Sequence, residues 1–236
     1  MDVYTNLCLG PGGHIMAYPV RNNQVYNMVL LHPQRPNINH EAAESWTRRG
    51  CKQEMLDFYK DWNPLVRDLL SSIAEEDVME WTLNSHAPLP AWHENKVVLI
   101  GDACHPMLPY VAQGAAQAIE DAAVLQCALA RSSTDVTLAI GVYEQVRKAR
   151  GEAVQTSAAV TRKALHLPDG PEQEQRDFDI KAASAGNGNN PDLWADPEFQ
   201  QFIWGTDIML ETFIKWPEWE ARVQGLHLPL QGADTY

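Results

Sequence analysis

The sequence predicts a mixed α/β chain, with a small sheet near its start and helices dominating afterwards. Three observations carry that expectation. Residues 14–31 hold two apolar runs around an asparagine turn. KVVLIGD at 96–102 is a β-branched run ending in an aspartate. Residues 114–165 carry helical periodicity on an alanine-rich background. The chain has 236 residues and is 45% apolar, enough to bury a core in one large or two small domains.

Each element follows from local pattern. In HIMAYPVRNNQVYNMVLL, Arg21-Asn22-Asn23-Gln24 is the expected hairpin turn, because asparagine tolerates the positive φ that tight turns need. A helix is expected over 41–60, with Met55, Phe58 and Tyr59 spaced i, i+3, i+4. A shorter one is expected from Pro64 to Ile73, capped by Asn63 and presenting Leu65, Leu69 and Leu70 on one face. HAPLPAWH at 86–93 is extended and proline-broken. Four consecutive apolar residues in KVVLIGD suggest a buried strand of a parallel sheet. In GAAQAIEDAAVLQCALA at 114–130, Ala115, Ile119, Ala122, Leu125 and Leu129 form the expected buried stripe. Helix continues over 135–165 with Arg147-Lys148-Ala149-Arg150 on a polar face. Residues 166–197 carry turn and loop signals, at Pro168-Asp169-Gly170-Pro171 and at 186–191. One amphipathic helix is expected over 197–216, with Phe199, Phe202, Ile203, Leu210, Phe213 and Ile214 on its apolar face.

Charge narrows the function. Eighteen basic residues against 31 acidic ones leave a net charge of −13, which argues against a nucleic-acid surface and against docking on an anionic membrane. No run approaches a membrane span of about 20 apolar residues, and MDVYTNLCLGPGG lacks the basic and apolar regions of a signal peptide. A cytoplasmic protein is expected. Cys8, Cys51, Cys104 and Cys127 lie far apart without a C-x-x-C, so neither a disulfide framework nor a metal cluster is expected.

One segment combines a strand, an aspartate, a loop and a helix start: VVLIGDACHPMLPYVAQGAAQAIEDAAVL, 97–125. A carboxylate at the end of a parallel strand faces the crevice where α/β folds bind ligands, and it can accept hydrogen bonds from polyol hydroxyls. The helix starting near Gly114 offers free N–H groups and a positive dipole end, suited to negative charge on a flat ring. Without a side chain, Gly114 lets such a ring approach the backbone. The same arrangement also arises where the aspartate only caps a turn.

Gly101, Asp102, Ala103, His105, Pro109, Gly114, Asp121 and Ala122 reproduce a spacing that closely resembles the second FAD-binding motif of the flavin-dependent aromatic hydroxylases, the group A monooxygenases. GPGGHIMAYPVR at 10–21 is similar to a substrate-domain strand of their salicylate-hydroxylase-like members, and PLPAWHENKVVLIGD at 88–102 to the approach to the motif. The late segment from LPDGPEQEQRD to ADPEFQQFIWGTD resembles the fungal members' C-terminal part. The resemblance implies a partial FAD-binding fold of the aromatic-hydroxylase type. Residues 1–90 would hold part of the substrate-binding sheet with helices, 91–165 the C-terminal part of the FAD-binding domain, and 166–236 a C-terminal loop and helical segment.

It also implies FAD as cofactor, with NADH or NADPH and O2 as co-substrates, and hydroxylation of an aromatic, salicylate-like compound. Asp102, beside Gly101, would bond the ribityl chain. Gln113, Gly114 and Ala115 would face the pyrimidine side of the ring system, with Pro109 and His105 close by. His14, Met16 and Tyr18 alternate onto one face of their strand and would roof the substrate, although simple packing explains them equally well.

The chain departs from the family at its start. The glycine fingerprint that holds the FAD pyrophosphate is missing; Gly10-Pro11-Gly12-Gly13 is nearest, but Ile15 stands at the third glycine's place and a strand pattern follows. The family's middle Asp-Gly motif is also missing. The expectation is weak or no FAD binding by this chain alone, and an exposed sheet edge. Three readings stay open: a short protein without activity that acts as a binding or assembly subunit, a half that pairs with a separate N-terminal polypeptide or with itself, and a chain lacking upstream sequence. A dehydrogenase using only a nicotinamide fits less well, since no complete dinucleotide fold is present. Cysteine catalysis at Cys104-His105 has no assignable orienting partner. Glu120 is expected to complement the helix dipole, and Asp121 also to fix the flavin loop. The C-terminal Trp194, Trp204, Trp216 and Trp219 suggest packing.

Overall fold

Three short strands begin the chain in the computed structural model, which describes residues 5–33 and 47–225. β1 (Asn6–Gly10), β2 (Gly13–Val20) and β3 (Val25–Leu31) form an antiparallel sheet in that order. β2 and β3 are the expected hairpin. Val20 pairs with Val25 across the turn, where Arg21, Asn22 and Asn23 take φ of 51°, 55° and 64°. Gly10-Pro11-Gly12-Gly13 is the tight β1–β2 turn, with Gly10 opposite Gly13. It joins two strands, so it does not open a helix as a phosphate-binding loop does.

Contacts divide the chain into two units, Met1–Leu83 with Arg162–Gly188, and Asn84–Thr161 with Asn189–Tyr236. In the first, strand alternation sends Ile15 and Ala17 into a core with Tyr59, Trp62, Val66 and Leu70. The helix expected over 41–60 is corrected. Residues 41–46 lie outside the described residues, Thr47–Arg49 form strand β4, and only Lys52–Phe58 are helical, as α1. β4 pairs with β5 (Met79–Trp81), and Arg48 bonds Glu80 at 2.8 Å across the pair. Gly50, a poor helix residue, instead donates its N–H to the Val78 carbonyl at 2.9 Å. α2 (Pro64–Ser71) starts as expected, with the Asn63 side chain accepting from the Leu65 N–H at 3.0 Å. Its buried face is Val66 and Leu70, while Leu65 is exposed, because the core lies one position round from the expected leucine row. A helix, α5 (Pro171–Ser184), occupies the stretch whose turn signals predicted mostly loop. Proline at its first turn and acidic Glu172 and Glu174 there explain its start, and its polarity hides it from apolar periodicity.

The second unit holds a two-strand hairpin, β6 (His93–Glu94) with β7 (Val97–Val98), then α3 (Gly114–Arg131) and α4 (Val136–Leu165), whose last residues fall in the first unit. The buried parallel strand expected at 96–102 is corrected: β7 is short and antiparallel, Val97 is 68% exposed and Ile100 46% exposed. Among the described residues, β7 pairs with β6 alone, which leaves these apolar side chains uncovered. The core packs Trp92, Cys104, Val124 and Ala128 against Ala139, Val142, Tyr143 and Val146 of α4. α4 crosses Trp92 at Gly151, where a Cβ would stand 2.7 Å from the indole.

The α3 stripe is also corrected. Gln117, Asp121, Val124 and Ala128 are buried, whereas Ala115, Ile119, Ala122 and Leu129 are exposed. Arg147 and Arg150, expected on a polar face, are buried instead. The single helix expected over 197–216 is two, α6 (Pro197–Trp204) and α7 (Ile208–Ile214), and α8 (Trp216–Val223) begins where that span ends. Asp207 caps α7 through the Leu210 N–H at 2.9 Å, and proline opens α8. Of the six residues expected on its apolar face, Ile203 is buried and Phe199 half-buried, while Phe202, Leu210, Phe213 and Ile214 are exposed. Among the described residues no helix is long and apolar enough to cross a membrane.

Candidate functional site

β7 leads into a single helical turn at Gly101–Ala103, which packs against the first turns of α3. Gly101 takes φ +58°, a conformation open to glycine at little cost. Its carbonyl accepts the N–H groups of Cys104 and His105, both at 3.0 Å, and its N–H donates to Asp121 Oδ2 at 2.8 Å. Asp102 therefore sits on a fixed turn. Its side chain is exposed and makes no hydrogen bond or ion pair among the described residues.

The loop continues through a second turn, Pro109–Val111, and through Ala112 at φ +50° into α3. No side chain caps α3, and no acidic residue lies in its first turn, so its leading N–H groups are available. Among the described residues, a Cβ at Gly114 would meet only Met107 Cγ, at 3.9 Å, so they leave the space over this helix start open. Gly101 and Gln113 are buried, Gly114 is half-buried, and Asp102, Pro109 and Ala115 are exposed.

Behind the turn lies a buried polar cluster around His105 and Asp121, whose arginine and glutamine members sequence reasoning missed. Asp121 is fully buried, and His105 Nε2 bonds its Oδ2 at 2.6 Å. Arg147 Nε donates to its Oδ1 at 2.8 Å. Arg147 also reaches the Gln117 carbonyl at 3.2 Å and Gln117 Oε1 at 2.7 Å, and it pairs with Glu120. Arg150 bonds Glu120 at 2.8 Å and the Phe202 carbonyl at 2.7 Å. Glu120 thus holds two arginines besides its place near the helix start. A signal was present: Tyr143, Val146, Arg147, Arg150 and Val154 share one helical face, so the arginines stand among core residues. His105 has in Asp121 the carboxylate partner that spacing could not assign.

Burial opposes charge on His105, but the bond to Asp121 and the nearby Cys104 sulfur outweigh it and raise its pKa to about 9. Burial likewise opposes charge on Asp121, yet bonds from His105, Arg147 and Gly101 hold its pKa below the usual carboxylate value. Cys104, His105 and Asp121 bring ligating atoms within 4.8 Å of one another, but Asp121 already accepts from a guanidinium, which disfavours a cation there. Cys104 is buried, and its thiol donates to the Gly101 carbonyl at 3.4 Å.

His14, Met16 and Tyr18 belong to the first unit and share the β2 face opposite Ile15 and Ala17. His14 is buried, and its Nδ1 lies 2.8 Å from His166 Nε2. Met16 and Tyr18 are half-buried. Burial, with the mutual charge of His166, lowers His14 to about 4, and burial, with Arg162 and His32 nearby, lowers His166 to about 4. An open groove of about 440 Å³ lies on α3 between Ile119, Glu120 and Ala123 and the 204–209 segment, and none of the expected flavin residues lines it.

These shifts have opposite signs. The His105 pairing stabilises the fold fully below about pH 6.5 and is lost as pH rises through about 9. The neutral His14–His166 pair stabilises it above about pH 6.5, a contribution lost as pH falls towards about 4. The expected result is a urea midpoint highest near neutrality. His105→Gln should flatten the alkaline limb and leave the acid limb in place.

Residues 4–158 match the family model described as FAD binding domain. The FAD-dependent monooxygenase atnJ of Arthrinium sp is 40% identical over 84% of this chain and 45% of its own length. The salicylate hydroxylase of Pseudomonas putida is 36% identical over 68% of this chain and 38% of its own length. The crystal structure of FqzB superposes on 95% of this chain and 49% of its own, with a TM-score of 0.74 and 25% identity. The chain thus spans about half the length of the proteins it matches. With two thirds of the chain inside that model, the chain belongs to the FAD binding domain family.

Proposed function

We propose that this chain forms one wall of the flavin site in an FAD-dependent monooxygenase that hydroxylates an aromatic, salicylate-like carboxylate using NADH or NADPH and O2. The observation that carries the reading is the unbonded Asp102 carboxylate on a fixed turn packed against an uncapped helix start. Those residues fit FAD: Asp102 can accept from ribityl hydroxyls, and the α3 N–H groups with the open space over Gly114 suit the polar edge of the isoalloxazine. When bound, the flavin supplies the redox and oxygen chemistry, while the chain binds, orients and excludes water. Pro109 and His105 stand on the same loop, the first exposed and the second held by Asp121.

The substrate class rests on the likeness to the Pseudomonas putida relative, a salicylate hydroxylase by name. His14 is engaged with His166, so Met16 and Tyr18 are the members of that β2 face best placed to meet an aromatic ring. The phosphate-binding part of the site would come from the remaining half of the family length, on this polypeptide or on a separate one. The exposed Val97, Ile100 and Ile119 give it an apolar surface to cover, and a second copy of this chain is the alternative occupant.

The test is an FAD titration of the chain, alone and combined with an N-terminal half from a relative. Asp102→Ala should weaken FAD binding by roughly ten- to a hundredfold, the worth of a charge-assisted hydrogen bond of about 1.5–3 kcal/mol. Thermal stability should hardly change, since Asp102 is exposed and makes no hydrogen bond or ion pair among the described residues. Unchanged FAD affinity in that variant would overturn the placement of the site.

A further inference from the structure

We propose that Arg147 is a positioning residue for the flavin, setting the Gly101–Asp102 turn through Asp121. The inference rests on the flavin reading for the ligand, but not for the geometry. Gly101 N–H is tied to one oxygen of Asp121 at 2.8 Å, and Arg147 Nε holds the other at 2.8 Å. The same guanidinium grips α3 around that residue, at Gln117 and Glu120. Its fork therefore locks both the rotamer of Asp121 and its ionised state, and it is fully buried, so water has no route to replace it.

His105 also bonds Asp121, but it stands four residues after Gly101 and its own N–H donates to the Gly101 carbonyl. It ties the loop to α3 from the same side as the turn itself. Arg147 comes from α4, a separate element, and links that helix to the carboxylate that holds the Gly101 N–H, while Tyr143 of the same helix donates to the Leu99 carbonyl at 3.0 Å. Asp121 fixes the Ile100–Gly101 peptide, and the Cys104 and His105 N–H groups hold the carbonyl of the Gly101–Asp102 peptide that follows, so the two together set the backbone that carries the Asp102 carboxylate.

The experiment measures residue-resolved amide exchange and FAD affinity in the chain and in two variants, Arg147→Lys and Asp121→Asn. Lysine keeps the charge but cannot reproduce the fork, so the conservative variant should not rescue. Exchange at Gly101 should accelerate about tenfold or more in both variants, while amides of the α4 interior, such as Val142 and Tyr143, follow only the change in global stability. FAD dissociation constants should rise about tenfold, with the flavin's visible spectrum altered in the bound form. Gly101 exchange that stays at the wild-type rate, or rises only in step with the α4 core, would overturn the proposal. So would unchanged FAD affinity alongside a loosened turn. If the wild-type chain and its combination with an N-terminal half bind no FAD while Gly101 exchange still accelerates, the flavin reading fails and the anchoring of the turn by Arg147 stands.

Discussion

Replacing Arg147 with methionine should destabilise the second unit by about 3–5 kcal/mol, the cost of stripping one partner from a buried ion pair. Methionine matches much of the stem, so packing loss is a minor part. The larger part falls on Asp121, fully buried and left with His105 and one backbone N–H. Glu120 keeps Arg150 and is partly exposed, so it suffers less. Urea unfolding followed by tryptophan fluorescence would read the effect as a lower midpoint. Adding Asp121→Asn should recover part of the loss, because removing both charges costs less than leaving one unpaired. A single variant that loses less than about 1 kcal/mol would show that Asp121 is not held as described.

Trp92→Ala should cost a similar amount, about 3–5 kcal/mol. The indole is fully buried, with its ring 5.1 Å from His105 and 6.2 Å from Tyr143 between centroids. α4 approaches it closely at Gly151, a rigid helix backbone that cannot collapse into the void. Trp92→Phe should retain most of the stability, because Trp92 Nε1 has no hydrogen-bond partner among the described residues. The backbone N–H of residue 92, bonded to Glu144 at 3.0 Å, survives either change. Equal losses in both variants would show that the indole nitrogen matters through a bond absent from this packing.

The motif from Gly101 to Ala122 was legible because its chemistry is local: a glycine turn, an exposed carboxylate and a helix start follow one another along the chain. The 14–31 hairpin and the Asn63 cap were legible for the same reason. What spacing hid depends on partners distant in sequence. The buried face of α3 is chosen by Arg147, twenty-six residues beyond Asp121, so its polar Gln117 and Asp121 turn inward and Ile119 turns out. Apolar periodicity read the same helix with its faces exchanged. β7 shows the converse error: four apolar residues promise burial only where a neighbouring strand covers them. In the C-terminal segment, Gly205 and the Asp207 cap break what amphipathic spacing alone joins.

The thiol of Cys104 gives the chain a built-in clock. It is sealed from solvent and leans on the carbonyl of Gly101, whereas Cys51 is exposed and Cys8 and Cys127 are half-accessible. An alkylating reagent can reach it only when the turn lifts away from its bed. With the outer thiols replaced, the rate of its modification counts those openings one by one, and a ligand that clamps Asp102 would slow the count without touching the sulfur.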